Sequence, residues 1–223
     1  VEHGVAELAA LAETPQVPSQ VQHVLCGITG GRYRSEARDE LVRIGLQGND
    51  LIVDVSPSYL LQAGLPYSRS DIAIIMDADL NDVPERYQHP ERAQRLVSVV
   101  ADAVPEDGVV LVPAKEWEVQ DRVRDAGCRV AIFATDDDVT SKDKKVARAS
   151  ATVEGRRIMI EQFDVSVEAG WVHDKAPVQA QVVAALAAFT LSDARRPGIT
   201  QRAGMGGRTQ IESRTEERAG VAD

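Results

Sequence analysis

Five short runs of apolar, largely β-branched residues recur along the chain: VQHVLC (21–26), DLIVDV (50–55), DIAIIM (71–76), GVVLV (108–112) and CRVAIFA (128–134). They are continuous rather than alternating, the pattern of parallel strands covered on both faces. Segments with helical spacing lie between them. SEARDELVRIGL is expected to open on a Ser cap, and ERAQRLVSVVADAV puts Ala93, Leu96, Val97, Val100 and Val104 on one stripe. KEWEVQDRVRDAG does the same with Trp117, Val119 and Val123 and closes at Gly127, a C-terminal cap. Strands alternating with helices predict a doubly wound, mostly parallel α/β sheet with helices on both faces and right-handed crossovers.

Beyond Asp136 the period changes. KKVARASATVEGRRIMIEQFDVSVEAGW alternates apolar and polar residues around the turn EGR, which predicts a small antiparallel hairpin or meander near the C-terminal end. APVQAQVVAALAAFTL then reads as one Ala-rich helix with Pro177 in its first turn. From Ser192 the residues turn to Arg, Gly, Thr and Glu with almost nothing apolar, as in a disordered tail. The expected organisation is an amphipathic N-terminal helix over 1–20, one α/β domain over 21–191 and a tail over 192–223, with no internal repeat.

Composition narrows the partners. With 35 acidic and 25 basic residues among 223, the net charge is −10, which offers no electrostatic footprint for nucleic acid or an anionic membrane. Cys26 and Cys128 each sit in an apolar run and are expected to be buried hydrophobes, and the four histidines are scattered, so no zinc-type spacing arises. The opening residues carry Glu2, Glu7 and Glu13 without a basic lead or a long apolar core, unlike a signal peptide. No apolar run reaches the roughly 18 residues of a membrane span, and the cytoplasm is the expected compartment. The chain opens on Val1 rather than Met, as a fragment or a processed product would.

Three stretches are candidates for chemistry. CGITGGRYRSEARDEL is a glycine-rich turn between a strand and a helix, the context of phosphate binding, with Gly30, Gly31, Arg32 and Arg34 as anion-holding candidates. A P-loop would need a Lys after its last Gly, and Arg32 and Tyr33 stand there instead; a tight turn with solvated arginines is the plainer reading. Asp54 and Asp77 both fall at strand ends, where open α/β sheets place ligands, and with Asp79 they would suit Mg²⁺ on a nucleotide. Asp at such places also forms turns, and Asp82 is expected to cap a helix opening at NDVPERY. Asp136 to Asp138, followed by Lys142, Lys144 and Lys145, read as a solvated loop. Tyr59, Trp117 and Trp171 are expected to pack in the core or at its edge.

The order of these pieces, from about residue 30 to 191, resembles the central domain of the Mur ligase superfamily, cyanophycin synthetase in particular. LIVDVSPSYLLQAGLPYSRSDIAIIMDADLNDVP keeps the family's framework, most specifically in AGLPYSRSDIAII, and APVQAQVVAALAAFTL is similar to its late N-x-L-A-A-L-A-A helix. The resemblance implies an ATP-dependent acid–amino-acid ligase with ATP and Mg²⁺ as cofactors. Its chemistry carries over poorly. The family's strand-end Glu becomes Asp54, its T-N pair becomes Met76 and Asp77, and its D-H becomes Asn81 and Asp82, without the metal-binding His. The carbamoylated Lys falls at about Val97, and the carboxylates of N-A-D-D-P give way to Ala114 and Lys115. CGITGGRYR lacks the P-loop Lys, or else corresponds to a later segment with the P-loop upstream of Val1. The expectation is therefore a degenerate or truncated ligase domain, inactive alone. Its alternatives are an active subunit completed by a ligase partner chain and a non-catalytic scaffolding protein, for which a homo-oligomer is expected.

Overall fold

The computed structural model describes residues 23–46, 51–106, 108–135, 147–163 and 165–194. The expected N-terminal helix, the Asp136 to Asp138 loop and nearly all of the expected tail lie outside them. Eight strands form one sheet in the order β2-β1-β3-β4-β5-β6-β7-β8. They are β1 (His23–Thr29), β2 (Ile52–Asp54), β3 (Arg69–Ile75), β4 (Val109–Pro113), β5 (Arg129–Phe133), β6 (Ser150–Glu154), β7 (Arg157–Gln162) and β8 (Val165–Trp171). The helices are α1 (Arg34–Arg43), α2 (Pro57–Ala63), α3 (Glu85–Gln88), α4 (Pro90–Ser98), α5 (Trp117–Asp125) and α6 (Val178–Ala194), with a 3-10 segment, Val99–Ala103, continuing α4. Strands β1 to β6 pair in parallel; β7 and β8 are antiparallel additions. The doubly wound sheet and the terminal meander are those expected from the apolar runs.

Both faces of the sheet are buried over its central parallel strands, which is why the runs of β1, β3, β4 and β5 carry no regular polar alternation. Ala73, Ile75, Val110, Val112, Val130 and Ile132 face one core, shared with Leu60 of α2, Ala93 and Val97 of α4, and Val119 and Val123 of α5. Their sequence neighbours Ile72, Ile74, Leu111, Ala131 and Phe133 face a second core under α1 and α6. Cys26 and Cys128 are buried and free, as expected of small hydrophobes. Helix α6 is apolar nearly all round because it covers the centre of the sheet while packing against α1.

Four local expectations are corrected. Helix α1 is not capped by Ser35: its N-cap is Tyr33, in the left-handed region at φ 57°, with no side-chain cap, and Ser35 lies inside the first turn. Asp82 does not cap a helix; Pro84 precedes α3 there, and Asp82 accepts a hydrogen bond from the Ser58 hydroxyl at 3.3 Å. Trp117 and Trp171 are 61% and 63% exposed, since the buried stripe of α5 is Val119, Gln120 and Val123, and β8 is the uncovered edge of the sheet. Ser192 does not begin a tail, because α6 runs to Ala194.

Deleting a central side chain should cost far more than deleting an exposed aromatic. Leu111→Ala, fully buried between sheet and helices, is expected to lower stability by about 2–5 kcal/mol. Trp117→Ala is expected to change it by no more than about 0.5 kcal/mol. Urea unfolding followed by circular dichroism measures both.

Candidate functional site

In an open parallel sheet the ligand crevice lies outside the carboxyl ends of the strands where the chain order reverses. Here that point is between β1 and β3, which lie side by side with β2 on the far side of β1. Thr29 ends β1 and Ile75 ends β3 in register, and the glycine-rich turn 30–33 follows the first while Met76 and Asp77 follow the second. The pairing of β1 with β3 therefore brings the anion candidates and two of the three metal candidates to one place.

What they do there is bind one another. The Asp77 carboxylate, on a residue only 4% exposed, accepts the backbone N–H of Gly31 at 2.7 Å on Oδ1 and that of Arg32 at 3.1 Å on Oδ2. Oδ1 also accepts the N–H of Asp79 at 3.2 Å. A turn leading into a helix N-terminus presents its amides to an anion, and the anion here is the protein's own side chain. Burial pushes the Asp77 carboxyl above the ordinary Asp range; the amides of Gly31, Asp79 and Arg32 pull it back down, and the nearby Asp79 charge pushes it up.

The two glycines are required by this closure. Gly30 has φ 127°, and a Cβ on it would lie 2.8 Å from the Asp77 nitrogen. A Cβ on Gly31 would lie 2.0 Å from the Asp79 carbonyl oxygen. The missing side chains let the turn approach the β3 segment, as glycines elsewhere let a turn approach a phosphate. Arg34 donates from Nη1 to the Gly30 carbonyl at 2.5 Å, and Arg32 pairs with Asp79 at the exposed rim.

Asp54 stands one strand away, at the end of β2, where it is paired with Arg38 of α1 at 2.7 Å and approached by the Ser35 hydroxyl at 3.4 Å. Its side chain is 15% exposed. Asp77 and Asp79 are thus together and Asp54 is apart. Among the described residues no group of three or more His, Cys, Asp or Glu is placed to hold a metal ion.

Further residues complete the surroundings. The Thr29 hydroxyl donates to the Val55 carbonyl at 3.0 Å, tying β1 to the end of β2. Glu116, just before α5, accepts the Ala78 N–H; burial raises its carboxyl, against the pull of Lys115 and that amide, and the Asp77 charge adds to the rise. Gln179 of α6 donates from Nε2 to the Met76 carbonyl at 2.8 Å, closing the crevice from the other face. Arg38, Glu116 and Gln179 reach the strand ends through folding alone.

No family model matches the sequence, and no curated protein matches it. Among solved structures, the chain is similar to the UDP-N-acetylmuramoylalanyl-D-glutamyl-2,6-diaminopimelate--D-alanyl-D-alanyl ligase from Acinetobacter baumannii, at 14% identity and TM-score 0.48, over 78% of this chain and 43% of that one. It is similar to the MurF ligase from Thermotoga maritima in complex with ADP at 12% identity and TM-score 0.49, over 79% and 46%. With a pseudomurein peptide ligase type C from Methanothermus fervidus it shares 11% identity at TM-score 0.49, over 79% and 47%. The chain spans less than half the length of each of these proteins, so every likeness is partial.

Proposed function

We propose that this chain is a non-catalytic Mur-ligase-like domain, of the cyanophycin synthetase type, derived from ATP-dependent acid–amino-acid ligases and serving in binding or scaffolding. The observation that carries the reading is the Asp77 carboxylate on the amides of Gly31 and Arg32. Phosphoryl transfer depends on preorganised donors around the phosphates, supplied by a glycine-rich loop, its Lys and Mg²⁺. Here two of the loop's amides are spent on an internal carboxylate, no Lys follows the last glycine, and the candidate metal ligands are engaged by Arg38, by Arg32 and by backbone N–H groups. A phosphate arriving at the turn would have to displace Asp77 and would then face its charge. The residues present do not fit ATP with Mg²⁺ at this turn.

The remaining features suit a domain that holds its shape. Tight glycine contacts, a satisfied carboxylate and paired arginines close the crevice at the ends of β1 and β3. The uncovered edge strand β8 exposes Val165, Val167 and Trp171, the type of surface through which a scaffold meets a second copy or a ligase partner chain.

Two outcomes are expected. Millimolar ATP with Mg²⁺ leaves the melting temperature unchanged, whereas a nucleotide present at 100 times its Kd would add about 2.7 kcal/mol and visibly raise it; a saturable rise contradicts the reading and favours a ligase subunit completed by another chain. Asp77→Asn exchanges one acceptor oxygen for an NH₂ facing amide donors and is expected to cost about 1–3 kcal/mol. The sign of the pH effect follows from the raised carboxyl. The native state holds the Asp77 proton more tightly than the unfolded chain, so this group's contribution is greatest below the unfolded Asp value of about 3.9 and falls as pH rises through the native value. The stability difference between wild type and Asp77→Asn should accordingly narrow as pH rises above about 4, measured by urea unfolding at each pH.

A further inference from the structure

One strand beyond the closed crevice, at the carboxyl ends of β4 and β5, the surface carries a cavity of about 90 Å³. Pro113 and Phe133 form its apolar wall, and Lys115, Thr135 and Gln179 supply its polar groups. The position is one where parallel sheets take ligands. Its size sets the class of ligand: sites for drug-sized molecules run to about 300–1,000 Å³, so this one has room for a small polyatomic group and not for a nucleotide.

The chemistry of the lining sets its charge. Lys115 makes no ion pair among the described residues, and the Thr135 hydroxyl makes no described hydrogen bond. Gln179 is fixed by its bond from Nε2 to the Met76 carbonyl, which leaves its amide oxygen without a described donor. Among the described residues, Asp77 accepts the amides of the glycine turn, and Glu116 accepts the Ala78 N–H while lying close enough to Lys115 to feel its charge. An exposed cationic residue and a half-buried hydroxyl residue thus border one half-open cavity at the strand ends.

We propose that this cavity is a binding site for a small oxyanion, a carboxylate or phosphate group, with Lys115 as its charge partner and Thr135 as a hydroxyl donor. The site is separate from the β1–β3 turn and does not depend on how that turn is read. Lys115 is exposed at the mouth of the cavity, and an ammonium there offers an oxyanion a charge-assisted hydrogen bond, stronger than a neutral one. Gln179 spans the two places, since it both lines the cavity and holds the end of β3.

The test is a nitrogen–proton NMR titration of the full chain with inorganic phosphate and, in a separate arm at matched ionic strength, with acetate. The expected result is saturable movement of the Ala114, Lys115, Ala134 and Thr135 amides and of the Gln179 side-chain amide. Lys115→Met should weaken binding at least about tenfold and Thr135→Val about threefold or more, each with an otherwise unchanged spectrum. The tighter arm tells a phosphoryl ligand from a carboxylate. Saturation by neither anion, movement confined to the Arg86, Arg92 and Arg95 surface, or binding unchanged in both variants overturns the proposal. Movement confined to the Gly31 and Arg32 amides overturns it as well, by placing the anion at the β1–β3 turn.

Discussion

The strand ends of this protein depend on one carboxylate. Asp77 leaves β3 at the point where the sheet's order reverses and accepts the amides of the turn that follows β1, so two chain segments 46 residues apart are joined by hydrogen bonds between an anion and the approach to a helix. Placing a carboxylate among apolar strands costs solvation, and burial accordingly raises its proton affinity. Three backbone donors offset that cost. The glycines, the left-handed Tyr33 and the Arg34 bond to the Gly30 carbonyl all follow from bringing the turn close enough to donate.

This closure separates what holds the sheet together from what satisfies its strand ends. A parallel sheet covered on both faces is held by side chains such as Ile74, Leu111 and Ile132, none of which takes part in any site. The strand-end residues are under a different constraint: their amides and carboxylates need partners, whether from a ligand or from one another. In this chain they find one another. Asp77 takes the turn, Arg32 takes Asp79, and Arg38 takes Asp54. The exposed Arg32 pair contributes little, while the Arg38 pair, around a largely buried Asp54, holds α1 against β2 more firmly.

The fold was legible because its signal is local. Continuous apolar runs can be satisfied only between two covering layers, and the EGR turn with alternation on either side can form little but a hairpin. Errors arose where a local rule had two solutions. Ser35 is a good cap, yet the chain enters α1 through Tyr33 in the left-handed region, two residues earlier than a cap at Ser35 would require. Trp117 fits the spacing of an apolar stripe, yet it stands at the first residue of α5, beyond the reach of the core that Val119 and Val123 enter. The site was legible as a list of residues and not as a geometry. Gly30, Gly31, Arg32, Arg34, Asp77 and Asp79 were singled out as two sets, one for an anion and one for a metal, and no periodicity reveals that the two sets satisfy each other. Arg38, Glu116 and Gln179 arrive from other segments, Gln179 from 103 residues away, and are visible only in the folded chain.

The central claim is that the amides of Gly31 and Arg32 belong to Asp77. Residue-resolved hydrogen exchange, with and without inorganic phosphate, in wild type and Asp77→Ala tests it most directly. Both amides are expected to be protected and indifferent to phosphate in the wild type, to lose protection in Asp77→Ala, and to regain it there when phosphate is added. Free exchange of these amides in the wild type, or protection that phosphate increases while Asp77 is present, would contradict it.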